Sequence, residues 1–209
     1  MSDINPQLVK TLREKTNAGM MDCKRALAET GGDIDKAEDY LRKKGILKAG
    51  SKSSRVTKEG IIASYIHMAG KVGVLVEINC ETDFVAKNDT FRDFVKDITL
   101  HIAAANPLCV SREGVPADLI EREREIARDQ VKDKPAAIVE KIVEGKIDKF
   151  CASVALLDQA FIKNPDITIQ EFVKSKIADL GENIVIRRFT RYQVGEVLAG
   201  EAAPAEAAE

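Results

Sequence analysis

Metal ligands and catalytic partners are scarce in this 209-residue chain, which has only two histidines and four cysteines. His67 and His101 fall in no metal-ligand cluster. Cys23, Cys80, Cys109 and Cys151 are widely spaced and form no CxxC pair, which leaves four thiols expected in reduced form. There is no P-loop, no zinc signature and no nucleophile–base pair, so an enzyme's chemistry has no seat in the sequence. No window reaches the length of a membrane span, and the first apolar cluster, starting at Leu8, follows no basic flank. A cytoplasmic protein that makes no membrane contact and uses no cofactor or metal is therefore expected.

What is present describes a folded chain. An apolar fraction of 44% in 209 residues is enough to bury one substantial core and a small satellite domain. The net charge of −2 conceals an asymmetry, because residues 1–58 hold 13 Lys or Arg against 8 Asp or Glu while the rest of the chain is acidic in balance. Two surfaces of opposite character suit an oriented docking partner.

Helical spacing of Leu8, Val9 and Leu12 predicts a helix over 7–15, closed by the turn Thr16-Asn17-Ala18-Gly19. A second helix carries Met20, Met21, Cys23, Ala26 and Leu27. Gly31-Gly32 stops it, and Asp33 is placed to cap a third helix bearing Ile34, Ala37, Tyr40 and Leu41. Residues 1–50 thus read as a three-helix bundle, similar in pattern to a ubiquitin-associated domain. Residues 51–58 are basic and Ser-rich and read as a flexible linker.

From residue 59 to 198 the pattern is mixed. Gly60 to Met68 and Val72 to Cys80 fit an antiparallel hairpin, and a long helix from Thr90 to Ala105 follows. Further helices are expected over 117–132, from Pro135 to a stop at Gly145, and over 169–180 before Gly181. Phe150 to Leu157 continues the core, Ile184 to Ile186 and Phe189 to Val197 read as two strands, and 199–209 is a polar tail. The fold class is α+β: a helical bundle, a linker, then a core with a small antiparallel sheet packed on helices.

The most informative stretch is Val72 to Lys87, where an apolar strand ends in a polar knuckle that presents Asp83 beside Phe84. An aromatic next to a carboxylate at a strand end makes a good wedge for a partner protein. The same spacing also allows Asp83 to cap a helix starting at Phe84 or Val85, with Phe84 turned into the core. Thr82 reads as a turn residue with a supporting hydrogen bond, Cys80 as a buried structural thiol, and both histidines as structural.

Two passages resemble the bacterial elongation factor Ts family, the nucleotide exchange factor of elongation factor Tu: LREKTNAGMMDCKRAL from Leu12 to Leu27, and EINCETDFVAK from Glu77 to Lys87. KIVEGKIDKF from Lys141 and LGENIVIRRFTRYQVGE from Leu180 match in order and spacing. Asn17 stands where the family usually has glycine, and Asn tolerates left-handed backbone well enough to keep the turn.

The resemblance implies that the Thr82-Asp83-Phe84-Val85 segment inserts near the magnesium side of the partner's nucleotide site, with Leu180 and Gly181 lining the same contact. It also implies that the bundle faces the GTPase through Leu12, Arg13, Met20, Met21 and Lys24, with Lys15 and Arg25 on the same surface. For each charged residue the alternative is a solvated face. For Met20 and Met21 it is core filler. The chain is similar to the short form of the family, in which a homodimer supplies the missing second surface.

Two other classes compete. Arg42, Lys43, Lys44, Lys48, Lys52, Arg55 and Lys58 recommend an RNA-binding module, but the run lacks interleaved aromatics, so no direct nucleic-acid partner is expected. Glu77, Glu81 and Asp83 recommend a carboxylate metal site, but no histidine supports it.

Overall fold

The computed structural model describes residues 4–16, 18–50, 52–132 and 135–197. The turn residue Asn17 and the tail 199–209 lie outside them. Helices α1 (Pro6–Thr16), α2 (Met20–Glu29) and α3 (Ile34–Gly50) form the N-terminal bundle. Its core consists of Val9, Leu12, Cys23, Ala26, Leu27 and Ala37, and the Asp33 carboxylate caps α3 by accepting the Lys36 amide at 3.0 Å.

The second unit is built on strands β1 (Glu59–His67), β2 (Val72–Cys80) and β5 (Val185–Gln193), antiparallel in the order β1-β2-β5. Period-2 alternation puts Val72, Val74, Val76, Ile78 and Cys80 of the central strand on the buried face. Against them pack Phe91, Phe94, Val95, Ile98 and Ile102 of α5 (Asp89–Ala105) and Ile169, Val173 and Ile177 of α8 (Ile169–Leu180). The ring of Phe161 stacks on Phe172 with centroids 4.4 Å apart, and Phe94 meets Phe172 at 5.2 Å. Helices α6 (Ala117–Asp129) and α7 (Ala136–Val154) form a hairpin with its own small core around Ala127, Val143, Ile147 and Cys151. Between β2 and α5 lies the single-turn α4 (Asp83–Lys87). Among the described residues no helix is long and apolar enough to cross a membrane.

Several boundaries depart from the sequence expectation. Helix α7 runs through Gly145, which costs about 1 kcal/mol relative to alanine. Burial of Val143, Ile147 and Cys151 on either side of it outweighs that cost. The two C-terminal strands are one strand, β5, ending at Gln193. A bulge opposite Glu77 and Ile78 accommodates the charged pair between them, and Arg187 and Arg188 both reach the Glu77 carboxylate, at 3.7 and 2.7 Å. A small hairpin of β3 (Ala160–Phe161) and β4 (Asn164–Thr168) was not foreseen, because two residues of strand are too few for any periodic signal.

The bundle leans on the core through α3 and α8. At that crossing Gly45 faces Ala178 so closely that a side-chain carbon on Gly45 would sit 3.1 Å from the Ala178 methyl. The 51–58 segment, expected to be a flexible linker, is tied to the core over 52–55. Lys52 donates to the Gly181 carbonyl at 2.7 Å, and the Asn183 amide donates to the Ser53 and Arg55 carbonyls at 3.3 and 2.9 Å.

His101 is structural, as its sequence context implies, and its position predicts a pH dependence. The ring is fully buried, and the Ile162 amide donates to Nδ1 at 3.3 Å. Nε2 must therefore carry the proton and donate to Gln159 Oε1 at 3.0 Å. Burial lowers the His101 pKa, with the Gln159 hydrogen bond opposing in part. The unfolded chain then binds the proton more readily, so stability is fully present above the ordinary value of 6.5 and is lost as pH falls below it toward the depressed folded value. Thermal melts at pH 7.5 and 5.5 are expected to show a drop in Tm that His101→Gln reduces, and equal drops in the two proteins would refute the assignment.

Candidate partner-docking site

The site is assembled where β2 ends. The last inward residue of the strand, Cys80, is fully buried, and its thiol donates to the Thr82 carbonyl at 3.2 Å. Burial first, and then the charge of Glu182, push this thiol up to about 11. It is a structural group rather than a nucleophile.

Thr82 takes an extended conformation and caps α4, its hydroxyl accepting the Val85 amide at 3.4 Å. Asp83 is therefore the first residue of the helix and not its cap. One helical turn then sorts the side chains by face: Ala86 is buried, Val85 is half-buried against the core, and Phe84 points outward with 82% of its surface exposed. The core alternative for Phe84 is overturned, because the short helix has only one inward face and Ala86 and Val85 occupy it. Asp83 pairs with Lys87 at 2.7 Å, and that hydrogen bond holds its carboxyl below the usual range, so it is ionised at neutral pH.

The knuckle is braced from a distant part of the chain. Glu182 Oε2 accepts the amides of Glu81 and Thr82 at 3.1 and 3.0 Å, and Oε1 accepts the Thr82 hydroxyl at 2.6 Å. In return, Glu81 Oε1 accepts the backbone N–H of Asn183 at 2.6 Å and a longer contact from the Arg55 guanidinium at 3.4 Å. Sequence reasoning missed Glu81, Glu182 and Asn183 as bracing residues. The one local signal is Gly181 just before Glu182 and Asn183, since their partners in the knuckle lie about a hundred positions away.

Leu180 and Gly181 are brought to the same place by this brace. Leu180 is half-buried and packs against the core, while Gly181 caps α8 with φ of 78°, a left-handed conformation that glycine adopts without strain.

In the bundle the structure divides the expected residues. Met20 and Met21 are 59% and 69% exposed, and Arg13 and Lys24 also face solvent. Leu12, expected among the partner-facing residues, has no exposed surface. It lies on the inward stripe of α1 with Val9, where it holds the bundle together and offers no surface in the free protein.

The family model for elongation factor Ts matches residues 48–196. Elongation factor Ts from Citrifermentans bemidjiense is 59% identical over 193 residues, covering 91% of this chain and 89% of that protein. The Carboxydothermus hydrogenoformans protein is 57% identical over 198 residues, 94% of this chain and 91% of its own length. The one from Desulfosudis oleivorans is 54% identical over 198 residues and is matched along 100% of its length. The chain belongs to the elongation factor Ts family. Membership places it among the elongation factors of protein biosynthesis.

The rival sites fare poorly against the geometry. The three carboxylates of the proposed metal site are each engaged separately: Glu77 by Arg187 and Arg188, Glu81 by the Asn183 amide and Arg55, and Asp83 by Lys87. Among the described residues no group of three or more His, Cys, Asp or Glu side chains could hold a metal ion. In the basic run, Lys52 is tied to the Gly181 carbonyl and Arg55 is paired with the Glu81 carboxylate.

Proposed function

We propose that this chain is the guanine nucleotide exchange factor of cytoplasmic elongation factor Tu: it binds the GDP-bound GTPase, perturbs its magnesium and phosphate site, and releases GDP so that GTP can bind. The general role, nucleotide exchange in translation elongation, comes with family membership. The observation that supports the mechanism is a large apolar ring held 82% exposed on a braced single-turn helix beside an ionised carboxylate. Residues Thr82 to Val85 with Leu180 and Gly181 form the exchange contact, and Arg13, Met20, Met21 and Lys24 of the bundle, as a separate unit, form a second.

No covalent step is needed. Magnesium requires near-ideal octahedral geometry and bridges nucleotide oxygens to the GTPase, so a small displacement of its surroundings weakens nucleotide binding severely. Binding the nucleotide-free form more tightly lowers nucleotide affinity by the same factor, and incoming GTP expels the exchange factor by the same coupling. The direct test is stopped-flow release of a fluorescent GDP from elongation factor Tu. Fast release with this protein supports the proposal, and equal release with and without it ends it.

A homodimer is the second part of the proposal. The outer face of the sheet carries Ile62, Ile66, Leu75 and Tyr192, all at least half exposed, with Leu75 set opposite Ser64 and Thr190 in the register. Exposed apolar side chains contributed by all three strands, with Ser64 and Thr190 between them, suit a second copy of the same face. Light scattering across concentration is expected to give a dimer mass for the wild type and a monomer mass for Leu75→Lys. A monomer in both cases would remove the dimer.

A further inference from the structure

We propose that the loop 181–183 is a relay that makes the position of the helical bundle and the position of Phe84 one mechanical variable. Two segments far from it in sequence converge on it. From the bundle side comes the strap 52–55, which follows α3 in the sequence. It is fixed by Lys52 on the Gly181 carbonyl and by both donated bonds of the Asn183 side chain. Asn183 is 2% exposed, and its side-chain amide spends both N–H donors on the Ser53 and Arg55 carbonyls. From the other side comes the knuckle 81–83, fixed by three hydrogen bonds to one Glu182 carboxylate. The Glu81 carboxylate closes the circuit by accepting from the Asn183 backbone N–H and from the Arg55 guanidinium of the strap.

The chemistry of this circuit makes it stiff. A carboxylate accepting backbone amides and a hydroxyl makes charge-assisted bonds, which are about twice as strong as neutral ones. Neighbouring residues 182 and 183 face opposite ways, one to the knuckle and one to the strap, so neither segment can shift without turning the loop. Glu182 is thus a positioning residue: both its carboxylate oxygens are engaged by Glu81 and Thr82, and it sets the mount from which Phe84 projects. Engagement of Met20 and Met21 by the GTPase pulls on α3 and the strap, and the relay transmits that pull to the knuckle. This consequence rests on the exchange function proposed above, but the relay itself does not.

Amide hydrogen exchange in the free protein tests the relay without the partner. Glu182→Gln keeps the size of the side chain but removes the charge that assists these bonds and puts an N–H₂ in place of one of the two acceptor oxygens. The amides of Glu81 and Thr82 are expected to exchange about tenfold faster, with α5 amides unchanged as the control for folding. The double variant Lys52→Met/Arg55→Met cuts two strap contacts through surface side chains and leaves Glu182 intact. The same two amides are expected to exchange about threefold faster in it. Wild-type exchange at Glu81 and Thr82 in the strap variant overturns the relay, whatever Glu182→Gln does.

In the GDP-release assay the strap variant is expected to lose limiting rate more than half-saturating concentration, a split that mere loss of folded protein would not produce. If the wild type fails to accelerate release, the exchange function falls and the amide measurement still decides the relay.

Discussion

Phe84→Ala is expected to slow GDP release from elongation factor Tu by roughly ten- to a hundredfold while leaving the melting temperature of the free protein unchanged. Fully burying a Phe side chain is worth about 1.5–3 kcal/mol, and each 1.4 kcal/mol is a factor of ten. In the free protein the ring is 82% exposed, so almost all of that energy remains unspent until a partner covers it. It is spent only on a conformation of the GTPase that has opened to admit the ring, and a ligand shifts an equilibrium by its differential affinity and no more. Stopped-flow traces with Phe84→Leu, which keeps apolar bulk, are expected to fall between the two. A Phe84→Ala protein that releases GDP at the wild-type rate would remove the wedge from the mechanism.

The absence of a folding cost distinguishes this substitution from a core truncation. Surface substitutions away from caps and networks usually change stability by no more than about 0.5 kcal/mol. The cap and the network here belong to Thr82 and Glu182, not to Phe84. Loss of rate without loss of fold is therefore the signature of an interface residue at position 84.

The sequence made Phe84 conspicuous for a local reason. An apolar alternating strand, a polar break and an aromatic can all be recognised within sixteen residues, and the structure keeps that order. The β1–β2 hairpin, helix α5 and the capped start of α3 were legible on the same terms, as short-range periodicity with turn and cap residues in place. Which way Phe84 faced was not legible, because a single helical turn offers both faces and only the burial of Ala86 and Val85 decides between them.

What escaped the sequence is what depends on distance. Glu182 and Asn183 look like ordinary loop polars until the fold brings them to Thr82 and Arg55, 100 and 128 positions away. Gly145 read as a stop because propensity is local, while the packing of Val143 and Ile147 that carries the helix through it comes from α6. The strap 52–55 read as flexible for the same reason: its composition is that of a linker, but its carbonyls are taken by a buried amide from the far end of the chain.

Leu12 shows how a family-derived contact and a structural role separate, and it carries the other large expected effect. Leu12→Ala removes a fully buried side chain from a core of six buried residues and is expected to destabilise the bundle by about 2–5 kcal/mol. So small a core has little in reserve, and the bundle meets the rest of the molecule mainly along α3. Loss is therefore expected to be local: amides of α1 and α2 lose protection from hydrogen exchange while those of α5 keep it. Met21→Ala, on the exposed face of α2, is expected to leave that protection intact and to weaken binding to elongation factor Tu directly. Leu12→Ala weakens binding only through unfolding. Leu12→Met, which conserves volume, is accordingly expected to restore both protection and binding. If Leu12→Met kept the bundle folded but still bound poorly, Leu12 would have a part in the contact after all, and its complete burial in the free protein would have to give way when the partner docks.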